Sequence, residues 1–249
     1  MTRDEALQTV RRHYPDAETT NRATEAMLDF FQRELQLSPQ QLLLADSLCS
    51  DEVNSLEYPE RAFDMVGPFR MGGLNGFPHA GITGMGAFAA HVPDGGAVVI
   101  YHAPHIGCSA NGTLGEINRI GQSKASGCCG AARAALTKLQ AGSLREGAPS
   151  DLDYQQGTIE QLFLAHAERI LDAASPLKEA TEVMAEAIIA RVDLLAARTT
   201  FPARYVLLYG AILINGDPEM GSFSAARRLT LTEVATGKTT DCLSLLFKD

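Results

Sequence analysis

Three continuous apolar runs stand out from an otherwise mixed chain: residues 41–48, 97–101 and 205–215. An apolar run of this length bounded by turn residues is what a strand covered on both faces requires. Ala97-Val98-Val99-Ile100-Tyr101 is the clearest of them, because Pro93-Asp94-Gly95-Gly96 punctuates it on the N-terminal side. The leucines of residues 41–48 suit a buried strand or a short buried helix about equally by periodicity, and the flanking cues favour a strand ending at Cys49. Between the runs, apolar positions recur at helical spacing. Ala6 and Val10, then Ala26, Met27, Phe30 and Phe31, predict two helices around Tyr14-Pro15-Asp16. Further helices are predicted over residues 81–91, from Cys129-Gly130 to about Gln140, over 158–173 and over 176–197. Residues 228–236 and 239–247 flank Thr236-Gly237-Lys238 and read as an antiparallel hairpin at a sheet edge.

Helix, turn, strand and loop in that order describe an α/β fold with a mainly parallel central sheet flanked by helices. One domain spanning residues 1–249 is expected, with 1–37 as an N-terminal helical extension and 38–249 as the core. In open parallel sheets the functional crevice lies beyond the carboxyl ends of the strands, where Cys49 and His105 both map. Residues 67–86 are dense in glycine, with Met71-Gly72-Gly73-Leu74-Asn75-Gly76-Phe77-Pro78 at the centre. They predict a loop that lines a site by close backbone approach.

Composition narrows the functional classes. A net charge of −9 without a basic cluster argues against a nucleic-acid partner, since such binding rests on grouped Lys and Arg. No stretch approaches the roughly 20 apolar residues of a membrane span, and the start Met-Thr-Arg-Asp-Glu-Ala has acidic residues in place of an apolar signal core. Five cysteines, an odd number with two adjacent, suit a reducing compartment and point to a cytoplasmic location.

The chemistry lies in three segments: Cys49 in Leu-Cys-Ser-Asp, His105 in His-Ala-Pro-His-Ile-Gly, and Cys128-Cys129 in Gly-Cys-Cys-Gly. Two thiolates and an imidazole fill three positions of a tetrahedral zinc site and leave one for water, which points to catalysis more than to structure. Cys129 is preferred over Cys128 because it directly precedes a predicted helix start, where the dipole and orphan amides favour a thiolate. Asp51, two residues past Cys49, can orient or accept a proton from water at the metal, ligate the metal itself, or cap the following helix. An arginine would hold it ionised, and Arg61 and Arg70 are the candidates. His91 and His102 read as surface or packing residues, His79 is ambiguous, and Cys108 and Cys242 are assigned to packing. A thiol redox role for Cys128-Cys129 ranks last, since vicinal disulfides are strained.

Taken together, Cys49-x-Asp51, the Met71 to Pro78 segment, His91-Val-Pro-Asp-Gly-Gly96, Ala103-Pro-His105-Ile-Gly107 and Gly127-Cys-Cys-Gly130 resemble the limiting-CO2-inducible B/C family of algae and bacteria. The resemblance is strong over roughly residues 40–135 and weaker over 205–217. It implies a fold like that of β-carbonic anhydrases, with Cys49, His105 and a cysteine of the 128–129 pair as zinc ligands and Asp51 as the carboxylate beside them. The glycine after the pair favours Cys129. The chain departs from the β-type Cys-x-Asp-x-Arg pattern, because Val53 stands where the arginine would be.

The activity the resemblance implies is zinc-dependent, reversible hydration of CO2 to bicarbonate and a proton. Two thiolates make zinc a weaker Lewis acid than three imidazoles would, so activity is expected to rise with pH. An apolar CO2 pocket would be walled by Phe69, Phe77, Phe88 or Met71. The alternative is a catalytically silent relative that binds zinc or bicarbonate in inorganic-carbon sensing or assembly. The resemblance also implies a homodimer.

Overall fold

Successive residues of a strand face opposite ways, so a strand apolar at every position needs a layer on each side. The computed structural model, which describes residues 1–54 and 59–247, supplies both layers. In chain order the elements are α1 (Arg3–Arg11), β1 (Glu18–Thr19), α2 (Thr20–Phe30), β2 (Leu42–Ser47), β3 (Val66–Arg70), α3 (Gly81–Ala89), β4 (Ala97–His102) and β5 (His105–Cys108). They continue with β6 (Glu116–Ile117), β7 (Ser126–Gly127), α4 (Gly130–Gln140), α5 (Tyr154–Ala165), α6 (Ala167–Leu171), α7 (Pro176–Ala196), β8 (Tyr205–Gly216), β9 (Ser222–Glu233) and β10 (Lys238–Asp241).

The main sheet runs β1-β9-β8-β4-β2-β3, with β10 also on β9 and β5 also on β8. Pairings among β3, β2, β4, β5 and β8 are parallel, and those of β9 with β8, β1 and β10 are antiparallel. The expected α/β fold with helices on both faces and antiparallel C-terminal strands is therefore present, as a mixed sheet. Its long central member is β8, which pairs with β4 along its first half and with β5 along its second. Ala103-Pro104 breaks the line between β4 and β5, because a proline nitrogen cannot donate to a ladder.

Leu43, Ala45, Val98, Ile100, Val206 and Leu208 face Phe88 of α3, Leu136 of α4, Phe163 of α5 and Ile188 of α7. The alternate residues Leu42, Leu44, Val99, Tyr101, Leu207 and Tyr209 face Met27, Phe30 and Phe31 of the N-terminal segment. Ala6, Val10 and Tyr14 close a third cluster with Ile106, Ile212 and Phe223. Thus α2 and the turn after it cover one face of the sheet, where truncating a fully buried member such as Phe31 to Ala would cost about 3–5 kcal/mol, while α1 joins the layer of α7 on the other face through Ile212, Ile214 and Ala185. Thr2 starts α1 with a capping box to Glu5, a local signal at the entry to this layer.

Three element boundaries differ from the sequence reading. The glycine-rich stretch contains the unexpected strand β3 as well as the expected helix α3, leaving a loop over residues 71–80 with a tight turn at Leu74–Gly76. The helix over 158–173 breaks at His166 into α5 and α6. The C-terminal hairpin starts earlier, at Ser222, and its second strand stops at Asp241. Among the described residues no helix is long and apolar enough to cross a membrane.

Candidate metal centre

The glycines of the 71–80 loop let backbone lie directly on backbone. A Cβ on Gly72 would stand 2.1 Å from the Leu48 carbonyl oxygen, and one on Gly76 2.1 Å from that of Ala103. The loop therefore crosses the carboxyl ends of β2 and β4 at contact distance. Between those glycines Asn75 adopts the left-handed conformation, with φ 52°, which Asn tolerates better than most residues. Its backbone N–H donates to Cys49 Sγ over 3.1 Å.

Beneath the loop, Cys49 just past β2, His105 opening β5 and Cys129 capping α4 bring their ligand atoms within 4.8 Å of one another, all three residues buried. His105 Nδ1 lies 2.7 Å from Asn215 Oδ1. The Asn215 amide is oriented from behind, since its Nδ2 donates to the Val53 carbonyl at 3.0 Å and to Asn54 Oδ1 at 3.3 Å. An oxygen facing Nδ1 requires the imidazole to carry its proton there, which leaves the Nε2 lone pair for a ligand. Nε2 is buried and has no hydrogen-bond partner among the described residues. Two thiols and an imidazole nitrogen kept free by its neighbours fit a metal ion. Cys128 lies on the other side of the ring, its Sγ 3.5 Å from Nδ1 and 3.6 Å from Asn215 Oδ1. With Asp51 and His105 it forms a second group of ligand atoms within 4.8 Å.

The hydrogen bond with Cys129 overcomes burial and lowers the Cys49 thiol to about 4, while Cys129 is pushed up in return, so that the two thiols share a proton. Burial alone would lower the His105 pKa, but the surrounding thiols of Cys128, Cys129 and Cys49 raise it well above its usual value. A divalent cation would take the place of those shared protons.

The partner of Asp51 is Arg119, and neither arginine expected for that role reaches it. Arg61 pairs instead with Glu25 at 2.7 Å and Asp29 at 2.5 Å, because it follows Glu60 on a turn packed against α2. Arg70, at the end of edge strand β3, pairs with Asp46, its register neighbour on β2. Arg119 comes from the insertion between β5 and β7 and grips Asp51 with both arms, Nη1 to Oδ1 at 2.8 Å and Nη2 to Oδ2 at 3.0 Å. Its other N–H groups donate to Glu52, to Ser126 Oγ at 3.0 Å and to the Gly127 carbonyl at 3.2 Å, so all five are engaged. Burial opposes ionisation of Asp51, but this bidentate pair outweighs it and holds the carboxyl down to about 2. The expected capping role survives weakly, as a 3.4 Å bond from the Val53 N–H to Oδ1.

Arg119 is placed in turn by Asp217, a buried carboxylate just past β8. Asp217 accepts from the Ala110 N–H at 2.8 Å, the Asn118 N–H at 2.7 Å and Asn118 Nδ2 at 3.1 Å, tying the insertion to the sheet. A usable signal did exist for Arg119, which is the sole arginine between Gly107 and Gly127. Asn215 and Asn75 carried none beyond their positions in a strand and a glycine loop.

The remaining histidines and cysteines lie elsewhere. His102 is buried with Nδ1 3.2 Å from the Ile100 carbonyl, His91 is exposed, and the His79 ring packs 5.2 Å from Phe77. Cys108 and Cys242 are buried in other clusters. Met71 and Phe88 share the buried cluster of Cys49 and Cys129, with Phe69 and Phe77 packed against it. Beside the site, an open cavity of about 370 Å³ is walled by Val53, Ile117, Ile120 and Pro218 with the polar groups of Arg119 and Asn215, and none of the four aromatic or methionine side chains expected for it lines it.

Residues 18–233 match the model of the family described as limiting CO2-inducible proteins B/C beta carbonic anhydrases. The chain belongs to this family. Among solved structures of such proteins, that of PtLCIB4, a homolog of the limiting CO2-inducible protein LCIB, is 30% identical, covers 94% of this chain and 98% of its own, and superposes with a TM-score of 0.80. The structure of LCIB itself covers 92% of this chain and 95% of its own at 20% identity, with a TM-score of 0.69, which speaks to the fold alone. A search of curated proteins found no match. The fold is thus that of a carbonic-anhydrase-like member of the limiting CO2-inducible B/C family, and its Cys/His/Cys/Asp group could bind a metal ion.

Proposed function

We propose that this chain is a zinc-dependent carbonic anhydrase, converting CO2 and water reversibly to bicarbonate and a proton. The observation that carries this reading is the Asp51–Arg119 pair beside Cys49, His105 and Cys129, which supplies the anchored carboxylate that Val53 had put in question. Cys49, Cys129 and His105 Nε2 would hold the ion. When bound, zinc supplies a Lewis acid that makes water a nucleophile near neutral pH.

The chain's own groups account for the rest. Asn215 keeps the His105 proton on Nδ1, so that Nε2 stays available. Asp51, ionised and held in place, accepts a hydrogen bond from water at the site and orients it. A carboxyl held near pKa 2 is too weak a base to keep a proton at neutral pH, so the proton passes on to solvent through the open cavity. Arg119 positions Asp51 and has no N–H left for an anion. In this proposal the protein works as a homodimer in a reducing compartment, which light scattering and the survival of five free cysteines on isolation would support.

Stopped-flow CO2 hydration at mildly alkaline pH on zinc-replete protein, with Cys49→Ser as the blank, tests the reading. Catalysis that vanishes in the variant supports it. A background rate from protein carrying one zinc per chain rejects it and leaves a silent zinc- or bicarbonate-binding protein.

A further inference from the structure

Asn75 is a buried polar residue in the wall of the site. It is fully buried, its backbone N–H is committed to Cys49 Sγ, and its Oδ1 accepts from the His105 backbone N–H at 3.3 Å. That last bond fixes which end of the amide faces His105, because the reverse orientation would set two donors against each other. Nδ2 is then left over, buried and with no hydrogen-bond partner among the described residues.

A buried N–H without a partner costs ~1–3 kcal/mol, and folded proteins rarely keep one without a use for it. Asn75 cannot turn away to relieve the cost. The Ser47 hydroxyl donates to the Gly76 carbonyl at 2.8 Å, the Leu74 N–H donates to Gln155 Oε1 at 2.7 Å, and Gly72 and Gly76 lie in contact with the strand ends below. The residue is held at both ends, its backbone N–H on the sulfur of one candidate ligand and its Oδ1 on the backbone N–H of another.

We infer that Asn75 Nδ2 donates to an oxygen of the carbon substrate as it becomes bicarbonate, an inference that rests on the carbonic anhydrase reading. Hydration turns a neutral, weakly accepting CO2 into an anion whose charge is spread over its oxygens. A fixed donor therefore gains strength as the reaction proceeds, and it needs no reorganisation at that moment. Arg119, the nearby cation, is saturated by Asp51, Glu52, Ser126 and Gly127 and does not compete for the task. A neutral amide also suits turnover, because it does not add a full charge that would retain the product.

The test is bicarbonate binding to cobalt-substituted protein, read from the visible spectrum of the bound cobalt. Asn75→Gly keeps the left-handed backbone and its N–H to Cys49 while removing the amide. Asn75→Asp keeps the shape and the acceptor for His105. With cobalt content and the anion-free spectrum unchanged, bicarbonate affinity is expected to fall by ~10–100-fold in Asn75→Gly, the value of one hydrogen bond to a charged group. If Asn75→Gly does not hold cobalt, Asn75→Asp decides in the same way. Wild-type affinity in a cobalt-loaded variant overturns the role of Asn75 and leaves the enzyme reading intact. Cobalt-loaded wild type that takes up no bicarbonate overturns both.

Discussion

Replacing Arg119 by Met keeps an unbranched side chain of similar reach and removes all five N–H groups at once. Asp51 then keeps its partly buried position but loses the two bonds of 2.8 and 3.0 Å that make its charge tolerable. Burial, the largest influence on its pKa, is no longer outweighed, so the carboxyl rises from about 2. The cost follows from that value. A carboxyl held at about 2 against an ordinary 3.8 contributes about 2–3 kcal/mol to folding at neutral pH, at about 1.4 kcal/mol per tenfold change in ionisation. Glu52 and His105 share in lowering it while burial opposes it, and the pair is worth on the order of 2 kcal/mol. Both side chains are less than one-sixth exposed, which places the pair above the 0–1 kcal/mol of surface ion pairs and below the ~3–5 kcal/mol lost on breaking a fully buried one. Because the folded-state pKa lies below the ordinary one, the contribution is present above about pH 4 and is lost as pH falls toward 2. Urea unfolding of metal-free, reduced protein at pH 7, applied to Arg119→Met, Asp51→Asn and the double variant, measures the pair. The expected coupling is about 2 kcal/mol, with the double variant no worse than the worse single. CO2 hydration by zinc-loaded Arg119→Met should fall ~10–100-fold at unchanged zinc content. Additive single-variant effects, or wild-type turnover in Arg119→Met, would refute the assignment of Arg119 as the residue that positions Asp51.

Three further outcomes follow from the same geometry. Asn215→Leu should weaken zinc binding ~10–100-fold, because the His105 Nδ1 proton loses its acceptor, whereas Asn215→Asp retains one; competition with a chromogenic chelator measures both, and equal affinities would show that the imidazole needs no orienting partner. Cys129→Ser should lose its zinc and Cys128→Ser should keep one per chain by elemental analysis, since Cys129 groups with Cys49 while Cys128 sits on the Nδ1 side of the ring; the opposite result would exchange the two cysteines. Burial raises the pKa of Asp46 to about 6 despite its ion pair with Arg70, so its neutral form stabilises the fold below about pH 4 and that advantage disappears as pH rises through 6. Asp46→Asn should therefore stabilise the protein by about 2–3 kcal/mol at pH 7.5 and change little at pH 4, and a destabilised variant at pH 7.5 would mean that the Arg70 pair outweighs the burial.

What the sequence determined by itself was the part written in local pattern. Strands β2, β4 and β8 were legible because burial on both faces demands an unbroken apolar run, and such a run can be read without knowing what covers it. Cys49 and His105 were legible for a related reason: the chain ends a strand where it must leave the core, and in a parallel sheet those ends converge. Tertiary structure alone decided the groups that surround those two candidate ligands. Arg119 lies 68 residues from Asp51 in a segment with little regular structure of its own, brought there by hydrogen bonds that Ala110 and Asn118 donate to Asp217, and no local periodicity encodes an ion pair across that distance. Arg61 and Arg70 lay nearer in sequence, but the α2 surface and the β2–β3 register gave them other carboxylates first. Asn215 reads as one more position in a buried strand, and Asn75 as a turn residue among glycines. Each acquires its role only when the sheet stacks β8 beside β5 and the loop closes over the strand ends, since a hydrogen bond depends on where two atoms meet and not on how far apart they stand in the chain.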